Sequence, residues 1–127
     1  MNNHKLGRVL SGTFQVGDPA NDFKLVDADS LPTGAVLKNL VADGLTVTAA
    51  NISTGKYSWT CAPSTGAGFA AGDNVSVIIS ATVGGNAYAV TVKEVTIQTY
   101  DNDDIRSLVN DVKEVTTKLD SMVKVIP

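Results

Sequence analysis

Apolar and polar residues change period once along this chain, near Tyr100. Upstream, apolar positions alternate with polar ones in short runs. Val75, Val77, Ile79, Ala81 and Val83 alternate with Ser76, Ile78, Ser80 and Thr82, which gives a strand with one fully apolar face. Gly84-Gly85 follows, and two central residues free to take positive φ suit a tight hairpin turn. The return strand puts Tyr88, Val90 and Val92 on one face and Val95 and Ile97 on the other. That change of phase around Lys93-Glu94 predicts a bulge, or a strand end that leaves the core.

The same alternation predicts strands at Arg8 to Val16, Phe23 to Asp27, Ala35 to Leu40, Leu45 to Asn51 and Lys56 to Cys61, besides Asn74 to Val83 and Asn86 to Thr99. Turn chemistry separates them at Gly17-Asp18-Pro19, Leu31-Pro32-Thr33-Gly34, Asp43-Gly44, Thr54-Gly55 and Ala71-Gly72-Asp73. Seven strands in about 90 residues suit an antiparallel β-sandwich. The stretch from Cys61 to Gly72 reads as a long crossing loop that Phe69 anchors.

Beyond Tyr100 the period becomes about 3.5. Ile105, Leu108, Val112, Val115, Leu119, Met122 and Ile126 are spaced 3, 4, 3, 4, 3, 4, an a/d heptad pattern. Asp101, Asn102, Asp103 and Asp104 supply a cap and negative charge at the positive end of a helix dipole. A helix of some 22 residues would extend roughly 33 Å. Isolated helices of that length are marginal in water, so the seam needs a partner. Packing on the chain's own β-domain is one outcome, and Val109, Val123 and Val125 widen the stripe in its favour. Self-association into a short coiled coil is the better expectation, with a homotrimer as the expected state. The expected organisation is mainly β: a sandwich domain over 1–100 and a C-terminal oligomerisation helix over 101–127.

Composition sharpens that boundary. All eleven glycines lie at or before Gly85, where tight turns are needed, and none falls in the heptad region. With 127 residues, 43% hydrophobic, the chain can bury a core. Ten Lys+Arg against thirteen Asp+Glu give a net charge of −3, which argues against a phosphate-backbone partner. No apolar run approaches a bilayer span, and Met1 to Leu6 lacks the apolar stretch of a signal peptide. No nucleic acid and no membrane are expected as partners.

Candidate chemistry is sparse. Cys61 is the single cysteine and His4 the single histidine, far apart in sequence, so neither a nucleophile-base pair nor a Cys/His metal site can be assembled. Asp27-Ala28-Asp29 could share a cation, although two carboxylates at a strand end are more often solvated. Asp101 to Asp104 open like a calcium loop, but Ile105 and Arg106 stand where an oxygen ligand and the turn glycine belong. No enzyme activity, metal or cofactor is expected. Tyr57, Trp59 and Tyr88 would form a sugar-stacking platform if exposed; a core role for most of the aromatics is the stronger reading.

The segment from Phe23 to Ile97 resembles a small immunoglobulin-like domain recurrent in tailed-phage structural proteins, among them tail fibres, spikes and head fibres. The resemblance rests on "FKLVDADSLPTGAVLKNL", "VTAANISTGKYSWTCAP" and "GFAAGDNVSVIISATVGGNAYAVTVKEVTI", about 75 of 127 residues. Within these, Asn51-Ile52-Ser53-Thr54-Gly55-Lys56-Tyr57 looks like the family's N-I-S/T-T-G-x-Y passage. Ala71-Gly72-Asp73-Asn74-Val75 looks like its A-G-D-x-V, and Ala81-Thr82-Val83-Gly84-Gly85 like its A-T-V-x-G. The resemblance implies an immunoglobulin-like sandwich on a virion, assembled in the host cytoplasm beside other virion proteins. It brings no catalytic residues. The chain's shortness favours a compact decoration, plug or adaptor over a long fibre. A receptor- or glycan-binding module, on the virion or on a bacterial surface, is the alternative.

Overall fold

In the computed structural model, which describes residues 2–100 together with Arg106, Asn110, Val112 and Lys113, alternation in the sequence becomes alternation in burial. The strands are β1 (Asn2–Lys5), β2 (Leu10–Gln15), β3 (Gly17–Asp18), β4 (Lys24–Leu25), β5 (Thr33–Lys38), β6 (Val41–Ala42), β7 (Thr48–Ser53), β8 (Lys56–Cys61), β9 (Asn74–Val83) and β10 (Asn86–Gln98). The described chain is mainly β. One sheet runs β1-β10-β9-β5-β6, a second runs β2-β8-β7, and β3 pairs with β4 alone.

The two larger sheets share one core, an arrangement consistent with a β-sandwich. Val36, Val75, Val77, Ile79, Val95 and Ile97 from the first meet Leu10, Trp59 and Cys61 from the second. Each fully buried side chain of this size contributes roughly 1.5–3 kcal/mol relative to exposure. Phe69, the expected anchor of the crossing loop, joins that core at 2% exposure. Val47 lies flat on Gly34, where a Cβ would come within 2.5 Å of the Val47 Cβ. On the other side the Trp59 ring covers Gly12 in the same manner, 3.0 Å from the position of a Cβ.

The β9–β10 hairpin forms as expected, with Gly84 at φ 58° and Gly85 at φ 78°. The predicted bulge is present between Thr91 and Lys93. Its effect differs from the expectation that Tyr88 and Val90 face away from Val95 and Ile97. Val90 pairs with Ile79 and Val95 with Val75, so the extra residue, Val92, returns both halves of β10 to the same face.

Sequence patterning misses β1. The N-terminus has the look of a loose end, yet Asn2–Lys5 lies parallel to β10, from Asn2 opposite Val95 to Lys5 opposite Gln98. Its four residues carry no apolar alternation, and the pairing runs through the backbone ladder. The strand expected over Phe23 to Asp27 shrinks to Lys24–Leu25. Residues 27 to 29 spend their polar groups on turns of both sheets instead of on a ladder.

Arg106, Asn110, Val112 and Lys113 are helical and exposed. Of the expected seam, Val112 is among the described residues; Ile105, Leu108, Val115, Leu119, Met122 and Ile126 lie outside them, as does the capping run Asp101 to Asp104.

Candidate functional site

Chemistry built from side chains is the first possibility to test. Among the described residues, no three His, Cys, Asp or Glu side chains gather as a metal ligand set. Cys61 is buried and pairs with Leu10 across β2 and β8. Burial pushes its thiol up to about 11, so at neutral pH it stays protonated and a poor nucleophile. The His4 ring lies against the Arg8 carbonyl at 2.8 Å, in the N-terminal β1 region rather than beside Cys61.

Asp27 and Asp29 hold turns. Asp27 Oδ1 accepts from the Asn51 side chain at 3.0 Å and from the Gly55 N–H at 2.8 Å. The Tyr57 hydroxyl accepts from the Ala28 N–H at 2.8 Å. Asp29 accepts from the N–H groups of Gly84 and Gly85, at 3.3 and 2.9 Å, and its own N–H donates to the Thr82 carbonyl at 2.7 Å. Residues 27 to 29 thus strap the β7–β8 turn of one sheet to the β9–β10 turn of the other. Asn51, Gly55 and Tyr57, which stand out in the sequence as a motif, bind this strap and serve the fold.

A second polar cluster closes the opposite end of β9. Asp73 accepts from the Ala70 N–H at 2.9 Å and from the Asn39 amide at 3.2 Å. Those two bonds, with Lys38 nearby, hold its carboxyl below the ordinary value of 3.8. Asn39 also exchanges bonds with Asn74, through its side-chain oxygen at 2.9 Å and its own N–H at 2.8 Å.

The aromatic platform does not exist as a surface. Tyr57 and Trp59 are 3% and 1% exposed, and Tyr57 stacks on Phe14 with ring centroids 5.4 Å apart. The Trp59 indole N–H has no hydrogen-bond partner among the described residues and is shut in over Gly12. Alternation puts both on the inner face of β8, the placement that a small number of aromatics in a two-layer fold favours. Tyr88 alone of the three reaches the surface, at 43% exposure.

Tyr88 lines an apolar groove. The groove, of about 360 Å³, runs between β10 and the β2–β3 segment, floored by Ile79, Ala81 and Val83 and walled by Val16, Pro19, Phe23, Tyr88 and Val90. Phe23 stands 74% exposed on its rim, at φ 60° in the left-handed region. The arrangement offers apolar contact and no reacting group. Neither a family model, nor a curated protein, nor a solved structure matches this chain.

Proposed function

We propose that this chain is a non-enzymatic phage virion structural protein, a fibre, spike, decoration or adaptor component. In this reading an immunoglobulin-like sandwich is displayed by protomers that the C-terminal heptads join in threes. The observation that carries it is the unbroken seam from Ile105 to Ile126 directly after a β-domain. Val112, an a position of that seam, is helical with its side chain largely exposed, which suits a residue placed to meet a neighbouring helix. The resemblance of Phe23 to Ile97 to phage structural domains supplies the virion setting. Burying the seam gives roughly 25 cal/mol per Å² of apolar area removed from water. Joined protomers then multiply weak surface contacts through effective concentration.

Sedimentation equilibrium on the full chain, on a truncation after Tyr100 and on Leu119→Asp tests the reading. The full chain is expected to sediment as an oligomer at micromolar concentration, and both variants at a smaller mass, because neither keeps an intact seam. A heptad role fails if the mass of Leu119→Asp equals that of the native chain.

A further inference from the structure

The first half of β10 is an open strand edge. β9 covers one side of β10 from Asn86 to Thr96, whereas β1 covers the other side only from Val95 to Gln98. From Asn86 to Thr91 the outer edge is paired with no strand among the described residues, and all six residues are exposed. The backbone polarity there follows from the turn. Residues flanking a two-residue hairpin turn form a hydrogen-bonded pair, and such pairs alternate with non-bonded ones. Asn86, Tyr88 and Val90 therefore turn their backbone groups to β9, and Ala87, Ala89 and Thr91 turn theirs outward.

Protein sheets blunt such edges with charges, proline, bulges or extreme shortness. This edge carries no charge and no proline over six residues, and its bulge lies beyond them at Val92. It is also self-complementary. A two-fold axis through Ala89 sets Ala89 opposite its own copy, and Ala87 opposite Thr91, so that every outward N–H and C=O on both copies meets a partner. The same axis places Tyr88 opposite Val90 on the groove side. Aromatic and β-branched residues are favourable cross-strand neighbours. No like charges come face to face.

We infer that the Asn86–Thr91 edge pairs antiparallel with the same edge of a second copy, joining two five-stranded sheets into one of ten strands. Tyr88 and Val90 of each copy then extend over the groove of the other, covering the apolar floor at Ile79 and Ala81. An edge of six residues is small beside the interfaces of stable dimers, so this contact is weak and concentration-dependent. The contact is independent of the heptad seam and reaches beyond the function proposed above. Where both operate, the seam gathers protomers and the edge links one assembly to the next.

Amide hydrogen exchange on the full chain, measured across a hundredfold range of concentration, reads the edge residue by residue. Exchange at Ala87, Ala89 and Thr91 is expected to slow about tenfold or more as concentration rises. Ala89→Lys and Ala89→Glu each put a like charge opposite itself on the axis, at a site whose side chain is exposed. Each chain alone is expected to lose the protection, and an equal mixture of the two to regain it. Three results would overturn the inference: fast exchange at every concentration, protection that the charges leave intact, or equal protection at all concentrations. The last would assign the edge to a segment of the same chain. None of these readings depends on whether Leu119→Asp changes the mass of the assembly, so the seam and the edge fail separately.

Discussion

Asp29 closes the Gly84-Gly85 turn from outside its hairpin, accepting the Gly85 N–H at 2.9 Å across 56 positions of sequence. A two-glycine turn is flexible in the unfolded chain, and each glycine lost to order costs more entropy than another residue would. Asp29 offsets part of that cost by satisfying two turn amides with one carboxylate. Asp29→Ala is expected to lower stability by about 1 kcal/mol, the modest figure reflecting an exposed carboxylate. Urea unfolding checks it. Adding calcium to the native chain is expected to leave the midpoint unchanged, because turn amides, not a cation, occupy this carboxylate. A calcium-dependent rise would revive a shared cation at Asp27 and Asp29.

Close approach of β5 and the segment leading into β7 depends on Gly34. A methyl group there would meet the Val47 side chain at a distance no relaxed structure contains. Gly34→Ala is expected to cost about 1–3 kcal/mol, the usual range for overpacking. Pairing it with Val47→Ala should return part of that loss. A double variant no more stable than Gly34→Ala alone would show that the contact is not the source.

Leu40 gives the opposite case. It occupies the left-handed region at φ 69° in the turn from β5 to β6 and is 83% exposed, so its side chain has strain to bear and little burial in return. Leu40→Gly, which leaves Asn39-Gly as the turn pair, is expected to stabilise the fold by about 1 kcal/mol. Thermal unfolding would register this as a raised midpoint. A lowered midpoint would mean that Leu40 packs on something in the native protein, an assembly contact being the first candidate.

The direction of the Asp73 shift fixes the sign of one pH effect. Its folded pKa lies below the ordinary 3.8, so the folded form holds its proton less tightly than the unfolded chain does. The stabilisation is therefore complete above the unfolded pKa and is lost as pH falls through the folded one. Asp73→Asn is expected to lower stability at neutrality and to flatten acid unfolding below about pH 4, the ordinary carboxylate range, where the native carboxyl has also lost its charge. A variant whose acid limb matches the native chain's would remove Asp73 from that transition.

The β-strands from Leu10 to Ile97 were largely legible because burial on one face writes a period of two into the residues. Val75 through Val83 and Tyr57 through Cys61 could hardly be read otherwise. Gly84-Gly85 marked its turn because left-handed backbone excludes most side chains. β1 carried no such signal. Asn2, Asn3 and His4 pair through backbone groups common to all residues, and nothing in their side chains announces the partner 93 positions away.

The candidate sites divide along the same line. The spacing from Ile105 to Ile126 predicts a seam from sequence alone, at positions that, Val112 apart, lie outside the described residues. By contrast, a core role for Tyr57 and Trp59 was the stronger reading of the sequence, and the opposite sheet decided it by burying both. Asp27 and Asp29 became turn caps only when the chain brought Gly55, Gly84 and Gly85 to them. What the sequence alone determined is periodicity, because local geometry and burial act on neighbouring residues. The tertiary structure decided which edges stay open and which polar groups are satisfied, because those depend on residues that meet only when the sheets close.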